Sequence, residues 1–131
     1  MTPTDDILAL LDWNRSSEEQ SRGLSLARQA RDLGAFIQPC GERHHKNVWG
    51  NCAKILSDRT DAELAPHLPA LLRWLQDMNW PGALQIADRL RRFADREALA
   101  AALDACMRQA RESNDDEWIE HLRTLGPIQE R

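Results

Sequence analysis

The sequence has no tyrosine and only two phenylalanines, yet five tryptophans among its 131 residues. Valine and isoleucine are scarce beside leucine and alanine. That balance favours helix, because unbranched side chains lose little rotamer freedom there. Three cysteines, Cys40, Cys52 and Cys106, are odd in number and widely spaced, which excludes a secreted disulfide framework and reads as reduced thiols. No apolar run approaches the length that spans a bilayer, and Met1 to Asp6 is acidic where a signal peptide is basic and then apolar. A cytoplasmic location is therefore expected. Positive charge is also not in excess: 17 basic against 21 acidic residues leave a net charge of −4. Nucleic acid and an anionic membrane are disfavoured as partners, and a basic protein is favoured.

What the chain does contain is helical periodicity. At 42% hydrophobic and 29% charged it can build one core, so a single domain over residues 1–131 is expected. Thr2 or Thr4 can cap a short helix through Leu11. Ser17 to Gln20 reads as a capping box ahead of a helix to about Leu33, with Leu24, Ala27, Ala30 and Leu33 as its buried face and Gly34 closing it. Gln38 to Lys46 reads as irregular. Apolar positions then recur at helical spacing, first as Val48, Trp49, Cys52, Ile55 and Leu56, next as Leu64, Leu68, Leu71, Leu72 and Leu75. Pro66 and Pro69 put the regular start of the second helix near Pro66 rather than Asp61. Asn79 is the expected cap of a helix entered through Pro81 and striped by Ala83, Ile86, Ala87, Leu90 and Phe93. Asp95 caps the next helix, and Asn114 with Glu117 forms a box before the last. No segment alternates as a strand does, so the class is all-α.

Sliding the chain by 35 residues superposes Val48, Ala83 and Trp118, then Trp49, Leu84 and Ile119, then Cys52, Ala87 and Leu122. The same offset aligns Leu64 with Leu99 and Leu68 with Leu103. Stacked antiparallel helical hairpins require such a period. A short right-handed HEAT-like stack (α-α superhelix) of about six or seven helices is therefore predicted, with an irregular bundle as the alternative.

Chemistry is hard to place on this chain. It has no glycine-rich phosphate loop, no metalloprotease helix signature and no nucleophile elbow. Cys40, His44 and His45 lack the spacing of a zinc site, so neither metal nor cofactor is expected. Cys52 lies on an apolar stripe, where a thiol is inert. Asp5-Asp6 and Asp115-Asp116 sit at helix starts, where dipole and capping explain them. Arg89, Arg91, Arg92 and Arg96, like Arg22, Arg28 and Arg31, read as solvated faces. Trp118 falls at a repeat-core position and needs only packing. The remaining tryptophans lie beside amide and charged residues at helix ends. This pattern selects Trp13, Asn14, Lys46, Asn47, Trp49, Asn51, Trp74, Asp77, Asn79 and Trp80 as candidate partner-binding residues. The alternative for the same residues is a structural polar network, since an indole N–H seeks an acceptor wherever it is buried.

The segments Leu11-Asp12-Trp13-Asn14-Arg15, Phe36-Ile37-Gln38-Pro39, Lys46-Asn47-Val48-Trp49 with Asn51-Cys52-Ala53, and Trp74-Leu75-Gln76-Asp77 with Asn79-Trp80-Pro81-Gly82-Ala83 resemble a bacterial family, the domain of unknown function 5071. The resemblance runs from about Asp6 to Leu122 and implies a small HEAT-like helical domain with no assigned activity. Small members of such families resemble immunity proteins encoded beside polymorphic toxins. The expected function is thus non-enzymatic: a protein-binding domain, specifically an immunity protein that neutralises a cognate bacterial toxin by direct binding. A HEAT-like scaffold or regulatory adaptor is the alternative. An enzyme would require Asp77, Asn79, Lys46 and Trp49 to converge in a cleft.

Overall fold

The computed structural model describes residues 3–41 and 46–125, which contain helices and no strand. Short elements dominate: α1 (Thr4–Leu10), α2 (Ser17–Ala27), α3 (Gln38–Gly41), α4 (Trp49–Ser57), α5 (Asp61–Leu64), α6 (Leu68–Leu72), α7 (Ala83–Arg91), α8 (Arg96–Glu112) and α9 (Asp116–Arg123). Tight 3-10 turns at Gly34–Phe36, Lys46–Val48, Ala65–His67 and Arg73–Gln76 join several of them.

Caps set the starts of these helices, and several differ from expectation. Pro3 precedes α1 without a side-chain cap. The box on α2 begins one residue early: the Ser16 hydroxyl accepts the Glu19 N–H at 3.1 Å, and the Glu19 carboxylate accepts the Ser16 N–H at 3.2 Å. Ser16 wins over Ser17 because Glu19 stands three residues beyond it, as a reciprocal box requires. α2 then stops at Ala27, well short of Leu33, and Gly34 opens a turn instead of closing a helix. The reason is a side chain from afar. The Arg59 guanidinium donates to the Ala27 and Ala30 carbonyls at 2.8 Å each and to Arg28 at 3.2 Å.

Asp61, not Pro66, begins the next helical run. Thr60 and Glu63 make a second reciprocal box there, and the missing N–H of Pro66 is absorbed by a switch to 3-10 geometry. Asn79 caps nothing; α7 starts at Ala83 behind Gly82, whose φ of 88° is left-handed. Asp95 caps α8 as expected, accepting the Ala98 N–H at 3.0 Å. Asn114, in the left-handed region at φ 57°, closes α8, and it is Asp115 that caps α9 through the Trp118 N–H at 3.1 Å.

The apolar stripes are the buried ones. One hydrophobic cluster runs from Ile7 to Leu125 and takes in Cys52, Leu56, Leu72, Leu90, Leu103 and Leu122. α1 packs on α2, α4 on α7, α6 on α8, and α8 on α9. The 35-residue offset thus joins spatial neighbours for α4 with α7 and for α6 with α8. α9 packs chiefly on α8 and on the turn Arg73–Gln76. At Leu84 the offset misleads: this residue is 70% exposed although its counterpart Trp49 is buried.

Arg89 also departs from expectation. It is buried, donating to the Arg59 carbonyl at 2.9 Å and pairing with the Asp61 carboxylate. The other Asp61 oxygen accepts the Ala94 N–H at 2.8 Å. That N–H, followed by the Arg89 guanidinium, holds the Asp61 carboxyl below its ordinary range. A lowered carboxyl pKa contributes stability above its unfolded value and loses it as pH falls through the folded one. Asp61→Asn is therefore expected to lower the melting temperature at neutral pH and to reduce its further fall on acidification below about pH 5. A melting temperature that falls with acid as steeply as in the parent chain would contradict this linkage.

A Cβ on Gly82 would lie 2.6 Å from the Ala53 Cβ and 3.0 Å from the Trp49 carbonyl, on a backbone that side chains disfavour. Gly82→Ala is expected to cost about 2 kcal/mol or more in urea unfolding. An unchanged midpoint would show that another turn conformation serves equally well.

Candidate functional site

The ten candidate residues divide by depth. Trp74 is fully buried at the end of the broken helix 61–76, and its indole N–H donates to the Pro81 carbonyl at 2.9 Å. Trp49, on the first turn of α4, is 5% exposed. Its ring meets Trp74 at 6.2 Å and 75°, and Trp80 at 5.4 Å and 89°, both edge-on geometries that suit the ring quadrupoles. Asn51 is buried as well, and its amide donates to the Leu11 carbonyl at 2.7 Å and to Gln20 at 3.0 Å. These three side chains are internal supports.

The others reach the surface. Trp13, in the loop between α1 and α2, is 55% exposed, and its backbone N–H donates to the Asn47 carbonyl at 3.2 Å. Asn14 beside it is exposed, its N–H held by the Asp12 carboxylate at 2.8 Å. Lys46 is exposed, with Nζ 5.8 Å from the Trp49 ring centroid and 6.0 Å from that of Trp80. Asn79 is exposed, Asp77 and Trp80 are half-buried, and the Asp77 carboxylate accepts the Asn79 N–H at 2.9 Å. The loop before α2, the turn before α4 and the turn before α7 therefore meet on one face, linked through Trp13, Asn47, Lys46 and Trp80. Lys46 and Trp49 come together, whereas Asp77 and Asn79 serve the turn that carries Trp80.

Leu84 completes this face and was not singled out by sequence. With Met78, Trp80, Pro81 and Gln85 it lines a recess of about 440 Å³. The signal was present in part, because Leu84 lies off the buried stripe formed by Ala83, Ile86, Ala87 and Leu90. A separate groove of about 780 Å³ between α2, α4 and α7 is bordered by charges of both signs, including Arg28, Lys54, Asp88 and Arg92.

Displaced ionisations have structural causes. Backbone N–H groups of Ser16 and Thr60 lower Glu19 and Glu63, their capping partners, and burial pushes the Cys52 thiol up to about 12. Among the described residues no group of three or more His, Cys, Asp or Glu could hold a metal ion, and no helix is long and apolar enough to cross a membrane. His44, His45 and the Cys40 side chain lie outside the described residues.

Residues 46–126, more than half of the chain, match the family model described as Domain of unknown function (DUF5071), and the chain belongs to that family. No curated protein and no solved structure matches it.

The division by depth is testable. Trp49→Ala is expected to cost about 3 kcal/mol or more of stability, as large-to-small core changes do. Trp13→Ala is expected to leave the unfolding midpoint nearly unchanged, and equal losses at both positions would refute the division. With its thiol buried and raised, Cys52 is expected to resist alkylation at pH 8 until the chain is unfolded in denaturant. Mass mapping of the modified peptide reads this directly.

Proposed function

We propose that this member of the domain-of-unknown-function 5071 family is a protein-binding helical module, acting as an immunity protein that neutralises a cognate toxin domain by covering its active site. The observation that carries the reading is Trp13, a large aromatic side chain 55% exposed at the rim of a face that also presents Trp80 and Leu84. Exposed tryptophan is uncommon in a monomer surface and enriched among residues that dominate binding energy. Asn14 and Asn47 lie beside Trp13 and Asn79 lies on the turn that carries Trp80, so amide-bearing residues accompany the apolar ones on this face. The net charge of −4 supports steering toward a basic partner, and nuclease toxins are basic because they bind phosphate. Within this reading the cognate partner supplies the chemistry, and the helical chain supplies shape and charge.

Co-expression with the product of the neighbouring gene, followed by affinity capture, tests the proposal. A complex is expected, with Trp13→Ala and Leu84→Ser each weakening it by about tenfold or more, and with association slowing as salt is raised. A neighbour that neither binds nor harms cells lacking this protein would sink the immunity reading and leave the adaptor in its place.

A further inference from the structure

Trp49, Trp74 and Trp80 meet at the start of α4, and the chain's buried indoles are held differently. Trp74 is tied by its indole N–H to the Pro81 carbonyl, and Trp118 likewise to the Leu72 carbonyl at 3.1 Å. The indole N–H of Trp49 is buried and has no acceptor among the described residues. An unmet buried donor costs about 1–3 kcal/mol, so hydrogen bonding does not explain a tryptophan here, and its ring contacts must. Those contacts are specific. Trp49 and Trp80 stand at 89° with centroids 5.4 Å apart, two walls of a corner, and the Lys46 ammonium sits within 6.0 Å of both ring centroids. Among the described residues no carboxylate pairs with Lys46. There its cation lies over the two indole rings, in a chain with an acidic excess elsewhere.

We infer that the Trp49–Trp80 corner is a receptor for an organic cation, filled in the free chain by its own Lys46 and in a complex by an arginine or lysine side chain of the partner. Two perpendicular indoles offer an ammonium or guanidinium group the negative faces of both rings, an attraction that strengthens as water is excluded. Lys46 is exposed on a short 3-10 turn and, among the described residues, has no ion-pair partner, so it can swing away when a better-placed cation arrives. Trp13 and Leu84 frame the same face and would exclude water around the seated group. This site rests on the protein-binding reading above, but it is a statement about cation chemistry and can be tested without any partner.

The probe is choline, compared with its neutral isostere 3,3-dimethylbutan-1-ol, followed by the indole N–H resonances of Trp49 and Trp80. In Lys46→Ala the corner is vacated, and choline is expected to bind about tenfold more tightly than to the parent chain and than the neutral alcohol binds to the variant. Trp80→Leu in the Lys46→Ala background should abolish the difference between cation and alcohol. If that double variant fails to fold, the contrast between choline and alcohol in the single variant decides alone. Equal binding of the two probes to Lys46→Ala, or choline shifts confined to resonances other than Trp49 and Trp80, would overturn the assignment. A choline site with no toxin partner would leave the cation receptor standing while the immunity reading fell.

Discussion

Short helices leave many backbone carbonyls with no N–H ahead of them, and satisfying those carbonyls from a distance is the constraint on which this structure depends. Arg59 closes the open end of α2, Arg89 takes the carbonyl of Arg59 itself, and Arg96 closes α7 through the Arg91 and Phe93 carbonyls. Later in the chain the Trp118 indole reaches Leu72, and His121 places Nδ1 against the Leu75 carbonyl, so that this nitrogen carries the hydrogen. Asn51 does the same for Leu11. Except for Arg96, whose carbonyls are local, each is a side chain on a later segment reaching the end of an earlier one. Consecutive units are joined by directed bonds as well as by the non-directional burial of leucine.

This explains why the broken stretch from Asp61 to Gln76 holds its shape. Two prolines and two switches to 3-10 geometry deprive it of a regular ladder, and an isolated segment of that kind would not persist in water. α8 packs on α6 and sets Cys106 against the Pro69 carbonyl, and α9 supplies donors to the buried Leu72 and Leu75 carbonyls. The tail end of the domain is therefore a structural partner of its middle, and Trp118 contributes a hydrogen bond that packing alone does not account for.

Much of this was legible in sequence, and what escaped notice has a common cause. The all-α class, the apolar stripes and the Asp95 cap follow from local periodicity and local hydrogen bonding, which a sequence carries within a few residues. Helix ends were less legible: Ser16 and Ser17 are equivalent until the position of Glu19 is counted, and the end of α2 depends on Arg59, about thirty residues away. Arg89 looks like its exposed neighbour Arg91 in composition, and only the fold distinguishes them by bringing the distant Asp61 to one and leaving the other at the surface beside Asp88. The tryptophans repeat the lesson. Trp13, Trp49 and Trp74 have similar polar surroundings in sequence, yet one projects outward and two are enclosed, because enclosure depends on which turn folds over which helix. Leu84 was hidden by the repeat offset itself, which set it in register with a buried residue.

The turn from Asp77 to Gly82 has a consequence for any complex this face enters. Its backbone is pinned at Trp80 and Ala83 by bonds of 3.0 and 3.1 Å, at Asn79 by the Asp77 carboxylate, and at Pro81 by the Trp74 indole. Ordering a loop or side chain at an interface otherwise costs about 0.5–1.5 kcal/mol for each group immobilised. For the proposed complex, folding has then already met most of that cost, and the segment that presents Trp80 would need little further ordering on binding.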